Sequence, residues 1–294
     1  MNTTSRIPPA WRTILLITAP IFIIAYAYLL FLGEWQSVAL MLANTLFMAL
    51  LAWLTGRVTR PLPAEVETAR PTPGRAWAQF GVLGVVILVT GFGAGTVPLW
   101  SAMVARLQSV GEAVLPVEWF GGPGNAVANP VQYFVIPLLL LLALGARPRE
   151  LGLGRGHRVW PASLIWLAIP GLILIWPAVA GALPAPTLVR RLIGNFFQNG
   201  FFEEFLFRGA LQTRLRLFLT TPWALVIQAL AFGLWHLRGN TAQFGGNVIG
   251  GLAWCIVSQG VIGLAFGYVF HRTRNLVAPT VAHVMINVMG QSFG

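Results

Sequence analysis

The sequence predicts an all-α protein, a polytopic membrane helical bundle of about eight or nine transmembrane helices. Hydrophobic residues make up 56% of the 294 residues and charged residues only 9%, and the mean hydropathy is +0.74. A soluble protein would carry about 25% charged residues. The basic residues are all arginines dispersed over short loops, so we expect the lipid bilayer as a partner and no nucleic acid.

Nine hydrophobic runs are long enough, or nearly so, to span a bilayer. They begin near Ile14, Val38, Ala76, Val131, Ala162, Leu192, Pro222, Val248 and Leu276. The first run lacks a small-residue cleavage site, which argues against a cleavable signal peptide. We therefore expect one integral membrane domain over residues 1–294.

Three longer connections separate the runs. Residues 57–75 form a proline-rich polar linker, for which we expect irregular backbone. Residues 96–130 are interpreted as a long connection, in which Trp100 and Trp119 are expected to anchor at the membrane interface. A basic loop at residues 147–158 follows the fourth run.

The arginines predict the orientation of the chain. If the N-terminus is cytoplasmic and the loops alternate, Arg106, Arg190, Arg191 and Arg238 lie outside and the other fifteen of the nineteen arginines lie inside. Cytoplasmic loops carry the excess of basic residues. We therefore predict an integral protein of a prokaryotic cell membrane with a cytoplasmic N-terminus.

The sixth run contains two adjacent carboxylates, Glu203 and Glu204, followed by Arg208. An ionisable side chain at membrane depth costs at least about 2.5 kcal/mol and by default indicates a functional site with a partner. On a helix Arg208 shares a face with Glu204, so these two are expected to pair. Glu203 points about 100° away and is free to face a cavity.

Two later runs carry isolated polar residues at four-residue spacing. Phe232 precedes His236 in the seventh, and His283 precedes Asn287 in the ninth. If the connections after Arg214 and Arg272 lie on one membrane side, a rise of about 1.5 Å per residue brings Glu203, His236 and His283 near mid-bilayer. The depths predict that the three runs converge on one buried site.

The three motifs together resemble the signature of the CAAX-protease and bacteriocin-processing (Abi) family of intramembrane proteases. The resemblance covers roughly residues 160–294, which implies a catalytic core there and N-terminal helices without a motif in residues 1–159. It implies that Glu203, Glu204, Arg208, His236, His283 and Asn287 form the catalytic site. It also implies a membrane-associated or lipid-modified peptide as substrate, with a prenylated CAAX peptide as the form that eukaryotic relatives suggest.

The residue types suit peptide hydrolysis, which needs a base for water and donors for the oxyanion. Glu203 is the expected base, His236 would orient the water, and His283 and Asn287 would hold the oxyanion. Glu203, His236 and His283 could instead bind a divalent metal such as zinc. The residues leave a metal-free and a metal-dependent mechanism open, and they do not define the oligomeric state.

Two other functions are compatible with a buried polar cluster. One is a non-catalytic membrane scaffold or immunity factor that binds a peptide or partner. The other is a transporter, because buried Glu and His also form proton relays. A binding-only site does not need a base and oxyanion donors together, and no inverted repeat is visible. These observations favour the protease.

Overall fold

The computed structural model describes residues 9–62 and 71–293, with side chains from Ile14 onward in the first of these ranges. Within these ranges all regular structure is helical and no strand occurs, which confirms the predicted all-α class. Arg6, Pro63 and Arg70, on which parts of the orientation and linker predictions depend, lie outside the described residues.

Helices follow one another along the described chain, joined mostly by short turns. They are α1 (Pro9–Phe31), α2 (Trp35–Val58), α3 (Pro73–Phe92), α4 (Pro98–Val114), α5 (Val117–Phe120), α6 (Pro123–Ala143), α7 (Val159–Val179), α8 (residues 185–215), α9 (Thr221–Trp235), α10 (Leu237–Gln243), α11 (Val248–Thr273) and α12 (Val277–Phe293). A 3-10 turn at Pro148–Leu151 precedes α7.

Each of the nine predicted runs corresponds to one of these helices. Among the described residues six helices, α1, α2, α3, α6, α7 and α11, are long and apolar enough to cross a membrane, and α9 is a shorter apolar helix. The remaining two runs correspond to α8 and α12, which carry two of the three polar motifs. The structure therefore supports an integral membrane protein.

The segment interpreted as a long connection, residues 96–130, is largely helical. Pro98 lies in the first turn of α4, where its missing N–H costs no hydrogen bond. The glycines at 121 and 122 form only the turn between α5 and α6, and Gly121 has a positive φ of 67°. Sequence reasoning missed α4 because the segment is less apolar than a spanning run.

The described chain divides into two compact units. The smaller contains residues 9–49 and 218–265. In it α1 packs on the first half of α11 around Leu29, Val38 and Val257. The Gln228 side-chain nitrogen donates to the Gly263 carbonyl at 2.8 Å. A Cβ at Gly263 would lie 2.9 Å from the Ala229 backbone, so glycine allows α9 and α11 to approach closely.

The larger unit contains residues 50–62, 71–217 and 266–293. Its α12 packs along α7, and Leu174, Val284 and Val288 belong to the buried cluster between them. Helix α8 also packs closely on α12. A Cβ at Gly200 would lie 2.6 Å from a Val284 methyl, so glycine at this position allows the close approach.

Hydrogen bonds hold several loops together at one end of the larger unit. His157 Nε2 lies 3.2 Å from the Thr59 carbonyl, and its backbone N–H donates to the Thr273 carbonyl at 2.7 Å. Asn275 donates to the Gly154 carbonyl at 2.7 Å. The loops after α2, before α7 and after α11 therefore share this end.

Arg214, near the end of α8, lies at the same end. Its Nη1 donates to the Gln79 side-chain oxygen at 2.6 Å, and its Nη2 lies 3.7 Å from a Glu150 carboxylate oxygen. Arg272 donates to the Thr59 hydroxyl at 2.8 Å. The connections after Arg214 and Arg272 thus lie on one side, as the depth argument assumed, and the cytoplasmic identity of that side stays a prediction.

Candidate active site

Helix α8 carries the two central glutamates between two distortions. Phe196–Gly200 and Phe205–Gln212 are π-helical, and Phe201–Glu204 is the α-helical turn between them. Such π-helical segments insert an extra residue per turn and are frequent at functional sites. The distortions therefore coincide with the carboxylates that the sequence singles out.

Glu204 forms the predicted ion pair with Arg208. Arg208 Nη1 lies 3.0 Å from Glu204 Oε1, and both side chains are 0% exposed. The Arg208 guanidinium also lies 5.5 Å from the ring centre of Phe266, within cation–π range. A buried carboxylate beside a guanidinium stays ionised at a lower cost than an isolated one.

His283 on α12 contacts both glutamates through different ring nitrogens. Its Nδ1 lies 2.7 Å from Glu204 Oε1, which is hydrogen-bonding distance. Its Nε2 lies 3.8 Å from Glu203 Oε2, too far for a hydrogen bond but within ion-pair range. If Nδ1–H donates to Glu204, Nε2 is the nitrogen available to groups beside Glu203.

The wall around the glutamates is mainly aromatic. Phe134 on α6 packs against Phe201, Phe202 and Phe205, with ring centres 5.3, 6.2 and 4.7 Å apart. Glu203, which follows Phe202 in this segment, is only 5% exposed. The phenylalanines beside the glutamates in the sequence therefore pack against α6.

Tyr133 is a neighbour that sequence reasoning missed. It lies on the π-helical turn of α6, is buried, and interacts electrostatically with Glu203. A phenol can both donate and accept a hydrogen bond. The sequence could have indicated this residue, because Gln132 and Tyr133 are polar side chains within an otherwise apolar run.

Asn287 lies one turn beyond His283 on α12 and is half-buried. A separation of four residues corresponds to about 6 Å along the helix and keeps both on one face. The larger unit thus brings five of the six predicted residues onto two packed helices: Glu203, Glu204 and Arg208 on α8, and His283 and Asn287 on α12.

His236 belongs to the smaller unit, where it follows the last residue of α9. Its Nδ1 lies 2.8 Å from the Phe232 carbonyl, the residue one turn earlier in its motif. This contact orients the ring and directs Nε2 away from its own helix. The predicted participation of His236 in the site stays a prediction.

The fit of a metal can be judged from the same contacts. Glu204 is engaged by Arg208 and by His283 Nδ1, which leaves Glu203 Oε2 and His283 Nε2 as ligands in the larger unit. Catalytic zinc usually takes three protein ligands. Within the described residues no three His, Cys, Asp or Glu side chains are grouped as a metal site requires. The larger unit therefore offers fewer ligands beside Glu203 than a catalytic zinc usually takes.

Comparison with known families agrees with the motifs. Residues 185–289 match the family model described as Type II CAAX prenyl endopeptidase Rce1-like. This segment contains all six predicted site residues, and the match confirms the resemblance inferred from the three motifs. No curated protein and no solved structure matches the chain.

Proposed function

We propose that the protein is an intramembrane endopeptidase that hydrolyses a peptide bond in a membrane-associated or lipid-modified substrate. The observation that carries the proposal is His283, which lies between the two carboxylates with one ring nitrogen toward each. A general base must lie beside the water it activates, and Glu203 and His283 Nε2 are spaced so that one water could touch both.

In the proposed reaction Glu203 is the base. Its carboxylate takes a proton from the water, and the resulting hydroxide attacks the carbonyl carbon of the scissile bond. The proton then passes to the amide nitrogen as the carbon–nitrogen bond breaks, so that Glu203 is regenerated as a carboxylate. His236 would share and orient the water, as its motif implies.

Glu204 and Arg208 act on this reaction through His283. Two carboxylates and one guanidinium carry a net charge of −1, which a second proton on the His283 ring would neutralise. In that form Nδ1–H donates to Glu204 and Nε2–H is a donor for the tetrahedral oxyanion. The Asn287 amide, which can donate but cannot act as a base, would be the other donor.

The proposed substrate follows from the surroundings of the glutamates. The aromatic rings beside the glutamates and the burial of both carboxylates favour a peptide that enters from the membrane over a soluble peptide. A prenylated CAAX-type peptide is the natural first candidate, given the family that residues 185–289 match. Its lipid would keep the peptide at the membrane while the bond near its C-terminus reaches Glu203.

Cleavage of a prenylated peptide by the purified protein tests the proposal. We expect Glu203→Gln to abolish turnover while leaving substrate binding nearly intact, because only the base is removed. Glu112→Gln is the matched control, since Glu112 is an exposed glutamate on α4.

Three results would contradict the proposal or part of it. Turnover by Glu203→Gln at the rate of the Glu112→Gln control would exclude Glu203 as the base. Binding of the lipidated peptide without cleavage by the unaltered protein would favour the non-catalytic scaffold. Equal cleavage of a lipid-free peptide would remove the argument for a membrane-embedded substrate.

A further inference from the structure

A polar cavity of about 180 Å³ lies between α5 and the first half of α8, within the larger unit. Its lining includes Arg190, Arg191, Asn195, Gln198 and Glu118. Because Arg214 lies near the other end of α8, this cavity is at the opposite end of that helix from the arginine-rich loops. It is separate from the glutamates proposed for catalysis.

The two arginines of this cavity have no carboxylate partner within the described residues. Arg190 donates to the Pro186 carbonyl and to the Thr187 hydroxyl, both at 3.2 Å. Arg191 donates to the Ser292 hydroxyl at 2.8 Å. Both side chains are half-buried, and Glu118, which is exposed, forms no ion pair with them. The three charged side chains sum to +1.

The length of α8 is compatible with a cavity at the level of the phospholipid headgroups. Residues 185–215 form a helix of about 46 Å at 1.5 Å per residue, whereas the hydrocarbon core is about 30 Å thick. If α8 crosses the bilayer, it therefore extends into a headgroup layer at one end or both, and Arg190 and Arg191 are in its second turn. Leu188 and Leu192 pack against the buried cluster of α7 and α12, so this part of α8 is amphipathic.

Exposed apolar side chains border the charged cavity. Trp119, Phe196 and Phe197 are 46%, 39% and 40% exposed. An amphiphile could place its anionic group on the arginines and its chains along these rings, whereas a soluble anion would use only the arginines. The combination of unpaired charge and bordering apolar surface points to a lipid.

We propose that this cavity binds the headgroup of an anionic phospholipid. Arg190 and Arg191 hold the phosphate, for which paired guanidinium N–H groups are suited. The Gln198 side-chain nitrogen already donates to the Phe120 carbonyl, so its amide oxygen accepts from a headgroup hydroxyl. The acyl chains follow Phe196 and Phe197. The site is independent of the proposed peptidase activity.

Binding of dioctanoyl phosphatidylglycerol to the full-length protein in a neutral detergent, measured by calorimetry, tests the site. We expect Arg190→Gln and Arg191→Gln each to weaken binding by at least about tenfold, because each removes charge-assisted hydrogen bonds. Arg106→Gln, at an exposed arginine on α4, is the matched control and should bind as the unaltered protein does.

One further variant and a second lipid separate the causes. Ser292→Ala removes the Arg191 hydrogen bond but keeps the charge, so it should retain binding. Arg190→Gln is the variant least prone to misfolding, because Arg190 bonds only within its own helix. Dioctanoyl phosphatidylcholine, with the same chains and no net charge, should bind at least about tenfold more weakly, since it leaves the cavity charge unbalanced.

Several outcomes would overturn the proposal. Equal binding of the two lipids would show that chains alone are recognised, and equal weakening by Arg106→Gln would show a diffuse charge effect. Displacement of the lipid by inorganic phosphate at equal concentration would indicate a site for a soluble anion. Displacement by a peptide with a free C-terminal carboxylate, but not by its amide, would assign the cavity to substrate.

Discussion

Replacing Arg208 alone should destabilise the protein more than replacing it together with Glu204. Both side chains are 0% exposed and their charged atoms are 3.0 Å apart. At an effective dielectric constant of 20 this distance corresponds to an attraction of roughly 5.5 kcal/mol. Arg208→Met would leave Glu204 charged and buried, and we expect a loss of about 3 to 5 kcal/mol in unfolding free energy.

Once the guanidinium is lost, His283 is the remaining side-chain partner of Glu204 among the described residues. Glu204 Oε2 is buried without a hydrogen-bond partner among the described residues, and Oε1 depends on Arg208 and His283. Glu204→Gln removes the charge but keeps an oxygen for His283 Nδ1. The double variant Glu204→Gln/Arg208→Met therefore contains no unpaired charge and should be more stable than Arg208→Met.

The measurement is the unfolding free energy in mixed micelles titrated with a denaturing detergent, over the complete double-mutant cycle. Arg106→Met serves as control, because Arg106 is exposed and its loss should change stability by no more than about 0.5 kcal/mol. A double variant that is as unstable as Arg208→Met, or less stable, would refute the reasoning that an uncompensated charge is the cause.

Two further predictions concern the reaction. Asn287→Ala should lower kcat by roughly 10² to 10³, as expected for one oxyanion donor, and a single-turnover rate equal to that of the unaltered protein would remove Asn287 from that role. Turnover should survive exhaustive chelation, since Glu203 can activate water without an ion. A metal-dependent reaction would instead be established by three results together. Chelation would abolish activity, added zinc would restore it, and the His283→Ala variant would lack the stoichiometric zinc of the unaltered protein.

The positions of the hydrophobic runs were enough to predict the nine helices that correspond to them, because in a bilayer every backbone polar group must be bonded within its own segment. The Glu204–Arg208 pair was predictable for a similar local reason, since four residues on a helix return to the same face. Both predictions depend on contacts within one segment, and the structure confirms both.

The features that the sequence did not predict depend on contacts between segments. His283 contacts Glu204 through Nδ1 and Glu203 through Nε2 only because α8 packs on α12. Gly200 allows that packing, but a single glycine in the sequence does not predict it. Helix α4 was missed because its segment is less apolar than a spanning run and was interpreted as part of a long connection. The cavity beside Arg190 likewise needs α5 folded against α8.

The adjacency of the two glutamates explains why they have different surroundings. Successive residues on a helix point about 100° apart, so Glu204 is directed to Arg208 and His283 Nδ1 while Glu203 is directed to the Nε2 side of the same ring. Arg208 and His283 Nδ1 occupy Glu204, whose fixed charge then orients the imidazole. Glu203 has no arginine at hydrogen-bonding distance among the described residues, and for this reason we propose it, rather than Glu204, as the base.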